Sequence, residues 1–121
     1  MEHAIKAYGA IAKQTATPRE LEADLLLKAA TRLQAVHDAW EGFGPALNNA
    51  LLYNRRLWAL FIDSVLSDTN ALPRETRQNI ANIGIFVMQQ TFAVMIDPSP
   101  QKLQPLISIN REIAAGLSGR G

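Results

Sequence analysis

The residues able to do chemistry are few and scattered. Cysteine is absent, which excludes disulfides, thiolate nucleophiles and thiolate–zinc sites. The two histidines, His3 and His37, fall on different predicted helices. Neither has a second metal-ligating side chain at helical spacing. His37 sits near Trp40 and reads as a packing residue. No serine stands in a nucleophile elbow, and no glycine-rich loop follows a strand. Asp63 and Asp68 read as helix-surface and turn acids, while Glu20 serves a helix cap. One catalytic arrangement remains. All-helical mutases gather arginines and polar side chains between helices, and Arg55, Arg56, Arg77 and Arg111 are the candidates for such a pocket. The competing reading is solvated charge on helix faces. No catalytic, cofactor-binding or metal-ligating residue is assigned, and no enzyme activity or cofactor is expected.

Binding chemistry has more to stand on. Asparagine is a mediocre helix residue because its amide competes with the backbone. Yet Asn54 falls on the apolar stripe Leu47-Leu51-Trp58-Phe61, and Asn110 on the stripe Leu103-Leu106-Ile107-Ile113-Leu117. Asn79 lies next to Ile83 and Phe86. An amide on an apolar stripe must find partners or cost about 1–3 kcal/mol. These amides form either a buried network that fixes helix register or a set of groups held ready to bond a partner's backbone. A second anomaly is apolar residues on the polar side of a helix. Ile85, Met88 and Phe92 lie toward Arg74, Gln78 and Gln89, and Leu27 keeps company with Glu20, Asp24, Thr31, Gln34 and Asp38. A helix apolar around most of its circumference is either central to a bundle or covered by a partner. Flexible Met88 and Met95 would suit a groove for an amphipathic helix. The candidate partner-binding residues are therefore Leu27, Asn54, Arg55, Trp58, Asn79, Ile85, Met88, Phe92, Asn110 and Arg111.

The elements that must carry these residues are helices. Proline and glycine divide the 121 residues into helix-length pieces, and no Val/Ile/Thr-rich run alternates with period two. Glu2 to Gln14 places Ala4, Ile5, Tyr8, Ile11 and Ala12 on one face. So short a helix is marginal alone and must dock on something. Thr17-Pro18-Arg19-Glu20 is a capping box with proline at the first helical position. It opens a helix to about Ala39, with Leu21, Leu25, Ala29, Leu33, Val36 and Trp40 expected inward. Gly42-Phe43-Gly44-Pro45 breaks the chain. A helix follows from Pro45 to about Ser67, with Leu47, Leu51, Trp58, Phe61, Ile62 and Val65 on one face. Pro73 opens another to about Ile96, with Ile80, Ile83, Val87, Thr91 and Val94 inward. Asp97-Pro98-Ser99-Pro100 ends it, and a last helix runs from about Leu103 to Leu117. The fold class is all-α: a compact bundle of four main helices plus a short N-terminal helix, in a single domain over residues 1–121.

Formal net charge is +1, and neither half of the chain is basic enough for a nucleic-acid footprint. Met1-Glu2-His3 lacks the start of a secretory signal. The most apolar stretch, Ile83 to Ile96, is expected to be too short and too polar to span a bilayer. No membrane or direct nucleic-acid contact is expected, and the cytoplasm is the expected compartment.

Several segments resemble the FlaF family of flagellar biosynthesis regulators. They are Ala50-Leu51-Leu52-Tyr53-Asn54-Arg55-Arg56-Leu57-Trp58, then Leu72-Pro73-Arg74-Glu75-Thr76-Arg77-Gln78-Asn79-Ile80-Ala81-Asn82-Ile83, and finally Leu106 through Leu117. Ala7-Tyr8, the turn Thr17 to Glu22 and the Trp40 region match more loosely. The resemblance covers nearly the whole chain in the expected order. It implies a cytoplasmic protein of alphaproteobacterial type that binds flagellin, acts as its chaperone for synthesis and export, and opposes FlbT, a repressor acting on flagellin messenger RNA. It supplies no catalytic residues. Two other readings stay open: a homodimeric helical scaffold with no client, and the small mutase-type enzyme.

Overall fold

A computed structural model describes residues 17–119. The expected N-terminal helix, Glu2 to Gln14, lies outside the described residues. Four helices follow: α1 (Pro18–Asp38), α2 (Pro45–Leu66), α3 (Arg74–Ile96) and α4 (Gln104–Leu117), the last preceded by a 3-10 turn at Pro100–Leu103. The described residues contain no strand. The architecture is the expected all-α bundle.

Local chemistry sets the helix ends. The Thr17 side chain accepts from the Glu20 amide at 3.1 Å, the N-cap half of the expected capping box. Pro45 occupies the first turn of α2, where its missing N–H costs nothing. Between α1 and α2 the left-handed turn belongs to Gly42, at φ 78°, while Gly44 is extended. At the α2–α3 corner, Asn70 Nδ2 donates to the Ser64 carbonyl at 3.1 Å and Asn70 Oδ1 accepts from the Leu72 amide at 2.9 Å. Arg77 Nη1 donates to the Ser67 carbonyl at 2.9 Å, so this arginine closes the C-terminal end of α2.

In space the order is α3, α2, α1, α4. α1 packs on α4 and on α2, α2 packs on α3, and α3 meets α4 only briefly. Leu26, Leu33, Leu47, Trp58, Val65, Val87, Val94, Leu103, Leu106 and Ile107 are all buried in one core. Each leucine or isoleucine so buried contributes roughly 1.5–3 kcal/mol. Gly84 lets α3 approach α2 closely. A Cβ there would lie 2.5 Å from Ile62 Cδ1 and 3.3 Å from the Trp58 ring.

One helix is rotated from expectation. The inward residues of α1 are Ala23, Leu26, Ala29, Ala30 and Leu33, whereas Leu25, expected inward, is 43% exposed. Leu27, expected on the outer face, is half-buried against the core. The physical reason is that α1 has two neighbours. Its alanines let α4 and α2 come close on either side, so the buried arc is broad and centred on small residues. A stripe drawn through the leucines misses that centre.

Candidate functional site

The amides separate sharply. Asn54 on α2 and Asn110 on α4 are completely buried. The Trp58 indole N–H donates to Asn110 Oδ1 at 2.8 Å, and Asn110 Nδ2 donates to Asn54 Oδ1 at 2.7 Å. Asn54 Nδ2 has no partner among the described residues. These three side chains form a sealed register lock between α2 and α4, so they are not offered to a partner. Asn79 is exposed, on the outward side of α3 just before the buried Ile80 and Ala81. It takes no part in that network. The expectation that all three amides sit on buried stripes holds for two of them.

The arginines do not converge. Arg77 caps α2. Arg111 Nη2 reaches Gln34 Oε1 at 3.3 Å on the outer seam of α1 and α4. Arg55 borders a small recess with Thr91 and Met95, and Arg56 borders a separate groove beside Arg32. The mutase reading required them to share one cavity, and they do not. Among the described residues, no three histidine, aspartate or glutamate side chains cluster to hold a metal ion.

Along the Arg111 seam runs a surface network. Gln104 Nε2 and His37 Nε2 lie 3.1 Å apart. His37 Nδ1 lies 3.0 Å from Asp38 Oδ1, which also accepts from Gln34 Nε2 at 2.8 Å. Hydrogen bonding from His37, then from Gln34, holds the Asp38 carboxyl below its ordinary range.

The outer side of α3 carries the largest departure from core-in, polar-out. Ile85 is 56% exposed, Phe92 63% and Ile96 68%, with Met95 also exposed. Met88 is half-buried against the core and grades into that ridge. Its expected role as an open residue is therefore only partly met, and Leu27 is far from it on α1. Ala81, Ile85, Met88, Phe92 and Met95 recur at alternating spacings of four and three, the seam of a helix that pairs with another helix. No charged residue stands between Gln78 and Ile96. By length and composition α3 alone among the described helices is apolar enough to cross a membrane, at mean hydropathy 1.4. The opposite side of the same helix, through Ile80, Gly84, Val87, Thr91 and Val94, is packed inside this bundle.

A second apolar surface escaped the sequence reading. Two adjoining cavities of about 380 and 470 Å³ lie between α1 and α2 and share Leu25, Leu57 and Leu60 in their walls. Leu60 is 72% exposed. The available signal was that Leu52, Leu57, Leu60 and Leu66 on α2 lie off its Trp58 stripe. At one end of the groove Arg32 stacks over the Tyr53 ring at 4.1 Å. At the other, burial pushes the Glu22 carboxyl up, against the opposing pull of Arg19.

The fold and these surfaces define a small helical bundle with a sealed polar lock and open apolar faces. The chain belongs to the FlaF family: the model for flagellar protein FlaF matches residues 4–117. No curated protein and no solved structure matches it. The flagellar assignment stands on that family match.

Proposed function

We propose that this protein is a cytoplasmic flagellin chaperone and regulator, which binds an amphipathic helical end of flagellin, promotes its synthesis and export, and opposes FlbT-type repression. The observation that carries the reading is the uncharged ridge Ile85–Met88–Phe92–Met95 on α3, left open to water at helix-pairing spacing. Flagellin ends are amphipathic helices that stay unpaired until the filament forms. A client helix laid along this ridge covers both apolar faces at once. Burying about 400 Å² of apolar surface at roughly 25 cal/mol per Å² gives on the order of 10 kcal/mol before entropic costs. Such a complex is specific and still releasable. Arg55, at the edge of the ridge, is free of its own helix's interior and suits a client's acidic flank.

The test is co-purification of the full chain with flagellin, comparing wild type with Ile85→Asp and Phe92→Asp. Both variants keep the wild-type helical circular dichroism and lose flagellin. Capture at wild-type strength by both folded variants sinks the reading. A concentration-independent dimer that ignores flagellin supports the scaffold alternative instead. Partition of wild type onto lipid vesicles, lost in Phe92→Asp, supports a membrane surface.

A further inference from the structure

The outward line of α3 runs Ile85, Gln89, Phe92 and Ile96, at spacings of four, three and four, with Phe86 and Met95 on its flanks. All six side chains are exposed among the described residues. The Gln89 amide, in the middle of this line, makes no hydrogen bond to a described residue. An apolar line with one free amide at its centre has the make-up of a helix seam whose register a polar residue fixes.

We infer that, between clients, two copies of this chain pair ridge to ridge through antiparallel α3 helices and so cover the surface that the client takes. The competition rests on the client reading of the ridge; the pairing does not. Charge, hydrogen bonding and area all select a second copy as the occupant. A foreign partner is steered and selected by opposite charge. A copy of the same chain brings the same sign, so it is admitted where there is none, and the face carries no charge between Gln78 and Ile96. Glutamine both donates and accepts, so Gln89 complements itself across a two-fold axis. Ile85, Phe86, Phe92, Met95 and Ile96 are 41–68% exposed. At about 150–250 Å² for side chains of this size, they offer on the order of 500 Å² per copy. Two copies then bury about 1,000 Å², the low end for specific interfaces, where association is weak and transient. A cover that a client displaces must be of that kind.

The direction follows from the register. In an antiparallel pair, Ile85 of one copy lies opposite Ile96 of the other, and Gln89 opposite Phe92. The two Gln89 amides then stand one layer apart, about 4.5 Å along the axis. A parallel pair would set the two first turns, each with Arg74 and Arg77, side by side.

Light scattering of the full chain, with and without flagellin, tests the pairing and the competition. The chain is monomeric near about 1 µM and dimeric toward about 1 mM. Gln89→Glu, at an exposed position, sets like charges across the axis and raises the dimer dissociation constant at least about tenfold. Mixing Gln89→Glu with Gln89→Lys restores pairing. The chain has no cysteine, so disulfide trapping reads the direction. Chains with Ile85→Cys crosslink to chains with Ile96→Cys under mild oxidation. Either variant alone stays reduced, its two thiols being about 16 Å apart along the axis. Flagellin added in equal amount dissolves the dimer into complexes of one chain with one flagellin. A chain that stays monomeric throughout yet captures flagellin overturns the inference and leaves the client reading standing. A dimer that holds flagellin without dissociating overturns the competition. A dimer that ignores flagellin overturns the competition together with the client reading. Self-trapping by either cysteine variant alone overturns the antiparallel pairing.

Discussion

The interior around Trp58 and the outer side of α3 are inversions of each other. Asn54 and Asn110, two polar amides, are completely buried. Phe92 and Ile96, a few turns away, are more than 60% exposed. Each arrangement costs free energy when viewed alone: an unpaired amide in the core, or a phenyl ring in water. The interior removes most of its cost internally, through the chain Trp58 to Asn110 to Asn54, with Asn54 Nδ2 left over. Among the described residues the ridge has no such remedy. α3 leans on α2 with one side only and touches α4 briefly. A buried amide bonded within the core is therefore a packing device, and an apolar side chain left in water is the surface on which the proposed binding role rests. Residue type alone would have assigned the two roles the other way round.

The largest test strikes the interior. Trp58→Ala removes the largest fully buried side chain and strands the Asn110 amide. It is expected to lower stability by about 4 kcal/mol in urea unfolding. An effect below about 1 kcal/mol would show that the interior is not sealed. Next comes a pair of identical substitutions. Asn110→Ala breaks both bonds of the lock and should cost about 3 kcal/mol, whereas Asn79→Ala, on the exposed first turns of α3, should stay within about 0.5 kcal/mol. Similar values for the two would erase the distinction between buried and exposed amides.

The ridge is tested by the opposite signature. Phe92→Asp should alter stability by no more than about 0.5 kcal/mol yet weaken flagellin binding at least about tenfold, or about 1.4 kcal/mol. Titration calorimetry and urea unfolding on the same sample separate the two quantities. A ridge that behaved as core would show the reverse.

The smallest effect is a control on the α1–α4 seam, outside both regions. The Asp38 carboxyl is held low in the folded protein by His37 and Gln34. Its folded value lies below its unfolded one, so it binds fewer protons when folded. The stability it contributes is present above the unfolded aspartate range and is lost as pH falls through the lowered value. Asp38→Asn should make the acid limb of a stability–pH curve slightly shallower and leave neutral-pH helicity unchanged. An acid limb identical to wild type would dismiss the seam network.

Much of the architecture was legible in order along the chain. The cap at Thr17, the prolines at 18, 45 and 73, and the polar turn before Pro73 place helix starts because they act on the nearest few backbone amides. The stripes of α2 and α3 were also legible, since large residues dominate them. α1 was misread because alanines carry its centre. Met88 and Leu27 were assigned to open surface and prove half-buried, since each lies at the border between a buried and an exposed arc. The Leu25–Leu57–Leu60 groove was missed because it belongs to two helices, and neither one alone shows a furrow.

The sequence by itself determined which segments are helical, where they stop and that the family is FlaF, because caps, breakers and ordered motifs are local. Only the tertiary structure decided which amides are sealed and which apolar residues stay wet. Burial depends on what stands opposite a side chain, and Asn54 and Asn110 are 56 positions apart. That pairing exists only once α2 and α4 have been brought within side-chain reach across the core.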